Sequence, residues 1–115
     1  MPRKYVPARG DVVWLQFTPQ AGHEQSGHHP ALVVSPRPYN QKVGLALFCP
    51  ITSSIKGYPF EVVFPEGHEI SGAILSDHVK SLDWRVRNVK LISRAPEHVI
   101  DEVLAKILTL LDKEM

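Results

Sequence analysis

Four side chains that could carry out chemistry lie close together in the first quarter of the chain. The segment GHEQSGHHP contains His23, Glu24, His28 and His29, which are three imidazoles and one carboxylate within seven residues. Such a group could hold a metal ion, could accept and donate protons, or could be a polar loop joining two strands. Spacing and surroundings have to decide between these three possibilities.

A metal site is the least favoured of the three. In a helical zinc motif two histidines stand four residues apart so that both project from one face, but His23 and His28 are five apart. Gly22 and Gly27 bracket the segment, and glycine disfavours a helix there. The sequence has no second group of His, Cys or carboxylate residues with recognisable ligand spacing. We therefore expect no bound metal and no other cofactor.

The length of the segment favours a functional loop over an ordinary connection between two strands. Eleven residues separate Phe17 from His29, whereas an ordinary hairpin loop has about two to five. Glu24 could accept a proton and a histidine could donate one, since a carboxylate and an imidazole with an ordinary pKa of about 6.5 suit proton transfer near neutral pH. These residues alone do not specify a reaction, and a solvated loop stays open.

Short apolar runs separated by Pro, Gly and Asn dominate the first three quarters of the chain. In the first run, alternation places Val13, Leu15 and Phe17 on one face and predicts a half-buried strand. The runs leave little room for crossover helices, so they favour an antiparallel sheet curled into a small barrel. The six predicted strands are residues 11–17, 30–35, 44–52, 58–64, 72–76 and 88–93.

The chain changes character at Pro96, which suits the first turn of a helix and is followed by Glu97 near the positive end of the helix dipole. Beyond it, apolar residues recur with the spacing of an amphipathic helix. We expect this C-terminal helix to pack its wide apolar face on the barrel or on a second subunit. The face is formed by Val99, Ile100, Val103, Leu104, Ile107, Leu108, Leu110 and Leu111.

Composition indicates an ordinary globular protein, with 43% apolar and 22% charged residues in 115. We expect a single domain, residues 1–115, and a cytoplasmic location, because the sequence shows no membrane-spanning run and no apolar leader, and its one cysteine, Cys49, lies in an apolar run. Residues 1–95 carry 11 lysines and arginines against 7 acidic residues, whereas residues 96–115 carry 2 against 5. This mildly basic body is compatible with an anionic partner such as nucleic acid.

Three blocks of the sequence together resemble a known family. RGDVVWLQFTPQAGHEQSGHHPALVVSPRPYNQK, PITSSIKGYPFEV and GAILSDHVKSLDWRVR are similar, in order and spacing, to the MazF branch of the MazF/PemK toxins of bacterial toxin-antitoxin modules. The resemblance implies an SH3-like (CcdB/PemK-type) antiparallel β-barrel with a C-terminal helix and a homodimer. It also implies metal-independent, sequence-specific cleavage of single-stranded mRNA and inhibition by an acidic MazE-like antitoxin.

The resemblance also assigns roles to individual residues. Glu24 matches the acidic residue implicated in cleavage, and Thr52 matches the threonine that lies at the scissile phosphate in the family. His29 completes the expected catalytic set. The residues expected to contact RNA are His28, Gln25, Ser53, Lys56, Asp77 and Lys80. Surface charge alone would also account for Asp77 and Lys80.

The sequence departs from the family pattern at His29. Relatives usually have GHRP or GxRP where this chain has GHHP, so a histidine replaces an arginine that stabilises the phosphate. Arginine is a permanently charged fork, whereas histidine offers one or two donors and is mostly neutral above its pKa. Three outcomes follow: His29 acts as general acid, which is the favoured one, His28 shares that duty, or the enzyme is weakened or inactive.

The mechanism implied is attack of a ribose 2′ hydroxyl on the adjacent phosphate, which gives a 2′,3′-cyclic phosphate and a 5′ hydroxyl. Bases of single-stranded RNA are commonly read by stacking on aromatic side chains, although packing in the core or an interface is the more ordinary role for a ring. A CcdB-like toxin that poisons DNA gyrase without cleaving RNA is the rival, since fold alone does not prove function. The rings available for stacking are Trp14, Phe17, Tyr58 and Trp84.

Overall fold

The protein is an antiparallel sheet with a helix at its C-terminal end. The structure, a computed structural model, describes residues 4–17 and 28–114. A 3₁₀ turn at Trp84–Val86 joins the last two strands. The elements within the described residues are β1 (Asp11–Gln16), β2 (His28–Val33), α1 (Arg37–Val43), β3 (Leu45–Thr52), β4 (Glu61–Val63), β5 (Ala73–Leu75), β6 (Lys80–Asp83), β7 (Lys90–Arg94) and α2 (Glu97–Leu111).

Strand β3 is the centre of the sheet. The strand order is β4-β5-β3-β2-β1-β7, and β6 also pairs with β3, so β3 contacts β2 along one edge and β6 and then β5 along the other. All of these pairings are antiparallel. The register sets Leu15 opposite His29 and Thr52 opposite Ala73. The end of β1, the start of β2 and the end of β3 therefore meet at one end of the sheet.

Two apolar cores lie on opposite sides of β1. Val13 and Leu15 are fully buried in one core, and Phe17 packs against it, which confirms their predicted common face. Val12 is fully buried in the other core, beneath α2. The predicted half-burial of the strand is therefore wrong at Val12, because helix α2 covers the second face there. Trp14 is the exposed member of that face.

The C-terminal helix is confirmed, with two adjustments. It begins at Glu97, and Pro96 is its extended N-cap residue instead of a member of the first turn. Val99, Ile100 and Val103 are buried on the sheet, and Leu104 and Ile107 are partly buried there. The sheet thus covers only the first half of the apolar face, because the helix runs beyond it. The leucines left exposed are Leu108, Leu110 and Leu111.

Helix α1 and strand β6 are elements that the sequence pattern does not predict. Helix α1 occupies the proline-rich segment between two strands and ends at Val43, where Gly44 forms the C-cap with a left-handed φ of 83°. Its one buried residue is polar: Asn40 accepts from Ser35 Oγ at 2.6 Å and donates to the carbonyl oxygens of Pro7 at 2.8 Å and Ser35 at 3.0 Å. Because the buried residue of α1 is polar, the helix has no periodic pattern of apolar residues by which the sequence could predict it.

Strand β4 is shorter than the predicted strand 58–64, because the residues from Tyr58 to Phe60 form a loop and its terminal turn before the strand. The described residues contain no helix long and apolar enough to cross a membrane.

Candidate functional site

A cavity of about 540 Å³ opens at the end of the sheet where β1, β2 and β3 meet. Residues from four strands, β2, β3, β5 and β6, and from adjoining loops form its wall, so no local sequence spacing could have revealed it. Among the residues that the sequence singles out, His29, Thr52, Ser53 and Lys80 all line it. The remaining lining residues are Phe17, Pro30, Pro50, Ile51, Ser71 and Leu75.

His29 is held at the cavity by the pairing of β2 with β1. Its backbone lies opposite Leu15, and its exposed imidazole faces the ring of Phe17 at a centroid distance of 5.6 Å and an interplanar angle of 31°. A tilted ring pair at this distance is a favourable aromatic contact. Phe17 thus supports the imidazole from one side and leaves its other side available to a ligand in the cavity.

Thr52 ends β3 at the same cavity. Its hydroxyl oxygen accepts a hydrogen bond from the backbone amide of Ser54 at 3.0 Å. Because a threonine hydroxyl has one proton and two lone pairs, this contact leaves the proton free to be donated to an anionic oxygen. The geometry therefore presents Thr52 as a donor.

Gly72 allows the backbone of Thr52 to lie unusually close to it. Residue 72 has a φ of 119°, which favours glycine, and a Cβ atom built there would lie 2.3 Å from the carbonyl oxygen of Thr52. Ala73, the next residue, pairs with Thr52 across β5 and β3. A side chain at position 72 would have to push Thr52 away, so glycine is required for the site's shape.

A second cavity of about 410 Å³ adjoins the first and shares Thr52 and Leu75 with it. Lys56 and Asp77, both singled out by the sequence, line this second cavity together with Tyr58 and His78. We call these two adjoining cavities together the Thr52 groove. A groove with a lysine in each half can hold successive phosphates of an extended strand.

Tyr58 joins the two sides of the groove. Its hydroxyl donates to Asp77 Oδ1 at 2.8 Å, and His78 Nε2 lies 3.7 Å from the same oxygen. Partial burial and the hydrogen bond to Asp77 raise the pKa of Tyr58 to about 12. The phenol therefore stays protonated across the physiological pH range and keeps its hydrogen bond.

Part of the predicted site is not covered by the structure. Glu24 and Gln25, together with His23, lie outside the described residues, and of His28 only the backbone, paired with Gln16, is described. Within residues 4–17 and 28–114 no group of three or more His, Cys, Asp or Glu side chains is placed to hold a metal ion. The roles of Glu24, Gln25 and His28 therefore stay predictions.

Several residues of the site carry no signal that sequence inspection could use. Ser71, Leu75 and His78 lie on loops or a short strand and reach the groove only through the pairing of β3 with β5. Gly72 could have been noticed as a glycine beside a short apolar run, which often marks close approach of two backbones. Phe17 and Tyr58, considered as stacking rings, do line the groove, whereas Trp84 packs on a core and donates to the Asn40 carbonyl at 3.0 Å.

Comparisons with known proteins agree with this fold. Residues 8–111 match the family described as PemK-like, MazF-like toxin of type II toxin-antitoxin system. The Endoribonuclease toxin MazF of Escherichia coli strain K12 is 49% identical over 100 residues, which are 86% of this chain and 89% of that protein.

Solved structures show the same likeness. The crystal structure of MazF (Form-I) from Deinococcus radiodurans is 54% identical, with a TM-score of 0.84 over 94% of this chain and 98% of that one. The MazE-MazF (Form-II) crystal structure from the same organism gives 47% identity and a TM-score of 0.83, over 94% and 97%. The SH3-like, CcdB/PemK-type fold expected from the sequence is confirmed. The chain belongs to the PemK-like, MazF-like toxins of type II toxin-antitoxin systems.

Proposed function

We propose that this protein is an endoribonuclease toxin that cleaves single-stranded mRNA at a specific sequence, without a metal ion. Two relatives that are named as endoribonucleases match this chain over most of their length, which supports the activity. The observation that carries the assignment to a site is the convergence of His29, Thr52, Ser53 and Lys80 on one cavity. They supply hydroxyl, imidazole and ammonium donors, which are the groups that bind a phosphodiester.

The reaction is attack of a ribose 2′ hydroxyl on its own 3′ phosphate. Glu24 accepts the proton of the 2′ hydroxyl, and His29 donates one to the departing 5′ oxygen, which gives a 2′,3′-cyclic phosphate and a 5′ hydroxyl. Thr52 donates a hydrogen bond from its hydroxyl group to a phosphate oxygen as negative charge builds up there. Proton transfer and charge stabilisation of this kind need no redox group.

The Thr52 groove holds the strand on both sides of the scissile bond. Lys80 and Ser53 contact phosphates in the first cavity, and Lys56 does so in the second. Asp77, held by Tyr58, offers carboxylate oxygens that accept from a base edge, and Tyr58 and Phe17 offer rings for base stacking. His28 and Gln25 complete the set of residues that we expect to contact RNA.

Two protein partners follow from the same proposal. The exposed leucines at the end of α2 suit a homodimer, since apolar patches on a small protein are commonly covered by another chain. An acidic MazE-like antitoxin inhibits cleavage by occupying the groove, where the lysines attract it as they attract RNA. We place the protein in the cytoplasm, where mRNA is found.

The test is to incubate the purified protein with a defined RNA, with and without its antitoxin, and separately with DNA gyrase. We expect cuts at one short sequence, no cuts when the antitoxin is present, and no effect on gyrase. Poisoning of gyrase without cleavage would replace the proposal with the CcdB-like function. If the antitoxin binds and RNA binding is unchanged, the antitoxin does not occupy the RNA groove, and that part of the proposal is wrong.

A further inference from the structure

Glu61, which the proposed mechanism does not use, is a buried carboxylate in the wall of the second cavity of the Thr52 groove. It opens β4 and is only 8% exposed. A buried charge is costly unless it is hydrogen-bonded, so its partners reveal what it stabilises. Those partners belong to the loop that carries Lys56.

Three close contacts join the Glu61 carboxylate to the backbone of that loop. The amide of Lys56 donates to the two oxygens at 3.2 and 3.1 Å, and the amide of Gly57 donates to Oε1 at 2.7 Å. Within the described residues Glu61 forms no ion pair. Its carboxylate instead accepts hydrogen bonds from backbone amides. The carboxylate thereby fixes the backbone at Lys56 itself.

Other contacts anchor the same loop beyond Lys56. Gly57 has a left-handed φ of 82°, which turns the chain, and Lys106 of α2 donates to the Pro59 carbonyl at 2.6 Å. The hydrogen bond from Tyr58 to Asp77 ties the loop to the opposite side of the groove. Glu61 is the anchor closest to Lys56, and its loss would free that residue first.

We propose that Glu61 is a positioning residue for RNA binding, which acts by holding the Lys56 ammonium group at the groove. The proposal rests on the proposed function, because it requires that Lys56 contact an RNA phosphate. An exposed lysine loses side-chain and backbone entropy when it binds, and a loop fixed in advance reduces that loss. Glu61 lines the second cavity, but both of its carboxylate oxygens accept from backbone amides, so it contributes to affinity through the position of Lys56.

The experiment is a double-mutant cycle with Glu61→Gln and Lys56→Ala. We expect each single variant to raise KM about tenfold, because a charge-assisted phosphate contact is lost or misplaced, and to change kcat less than about twofold. The double variant should resemble Lys56→Ala alone. The slope of log KM against log salt should fall by about 0.7 in both single variants, the value for one lost contact to single-stranded nucleic acid.

Glu66→Gln is the matched control, since it removes the same charge from an exposed glutamate five residues further along the chain. It should leave KM and the salt slope unchanged. Glu61→Asp is made alongside, and whichever variant keeps the wild-type circular dichroism spectrum is used. Additive effects of Glu61 and Lys56, or a wild-type KM in the Glu61 variant, would overturn the proposal.

Amide hydrogen exchange separates this inference from the proposed function. In the absence of RNA, the amides of Lys56 and Gly57 should exchange at least tenfold faster in the Glu61 variant than in the wild type. Unchanged exchange at both would overturn the positioning role even if the protein cleaves RNA. Wild-type protein that neither binds nor cleaves RNA would overturn the proposed function instead.

Discussion

Replacing Gly72 with alanine tests how closely the site depends on the backbone position of Thr52. A Cβ atom added at residue 72 would lie 2.3 Å from the Thr52 carbonyl oxygen and 3.2 Å from its carbonyl carbon. Real Cβ atoms essentially never approach closer than 3.0 Å, so the gap has to open from 2.3 Å to at least 3.0 Å. Because both neighbours are backbone atoms, no side-chain rotation relieves the clash, and Thr52 has to move.

The expected loss follows from this displacement. A misplacement of about 1 Å in a catalytic group can cost roughly a hundredfold in rate, so we expect kcat to fall about 10- to 100-fold in Gly72→Ala. The φ of 119° adds backbone strain of about 1–2 kcal/mol and the clash about 1–3 kcal/mol. The free energy of unfolding should therefore fall by about 2–5 kcal/mol.

Gly67→Ala separates strain from clash. Gly67 also has a positive φ, 87°, but a Cβ there meets nothing within 4 Å. This variant should lose about 1–2 kcal/mol of stability and keep the wild-type kcat. The assay is cleavage of a fluorescent RNA at saturating concentration and at a temperature where urea titration shows both variants folded. A wild-type kcat in Gly72→Ala, or an equal loss in Gly67→Ala, would refute the reasoning.

Three further outcomes are expected. If His29 is the general acid, His29→Arg should cleave RNA more slowly than the wild type, because a guanidinium does not release its proton near neutral pH; a faster His29→Arg enzyme would contradict the role. Burial raises the pKa of Cys49 to about 12, so at pH 8 iodoacetamide should label it roughly a thousandfold more slowly in the native protein than in urea, and equal rates would show that the thiol is not enclosed. Asn40→Ala should lower the free energy of unfolding by about 3 kcal/mol in a urea titration, because the buried carbonyls of Pro7 and Ser35 lose their donor; a change below about 1 kcal/mol would mean that water replaces the amide.

The parts of the fold that the sequence predicts are those with an apolar period. The faces of β1 and α2 could be identified because Val13 and Leu15, and Val99 and Val103, repeat at strand and helix spacing. Helix α1 could not, since it is short and its buried residue is Asn40. Proline at its start and Gly44 at its end were the available signals.

Strand β6 was missed for a related reason. Its four residues, KSLD, are exposed or half-buried and have no alternation strong enough to distinguish them from a loop. The predicted length of β4 was wrong because an apolar run does not show that Glu61 binds the backbone of the preceding loop.

The candidate site divides in the same way. No spacing rule connects His29 with Thr52 or Lys80, since three different strands bring them to one cavity; the resemblance of whole sequence blocks identified them. Lys56 and Asp77 were likewise identified by resemblance, but the hydrogen bonds that hold them become visible only in three dimensions. Glu24 lies outside the described residues, so its role stays a prediction.

The chemistry of the cut ends tests the central claim most directly. A defined single-stranded RNA is incubated with the protein in EDTA, and both products of each cut are analysed by mass spectrometry. Metal-independent cleavage by 2′ hydroxyl attack predicts a 2′,3′-cyclic phosphate on one fragment and a 5′ hydroxyl on the other, both lost in Glu24→Gln. Loss of cleavage in EDTA, or a 5′ phosphate on the product, would contradict it.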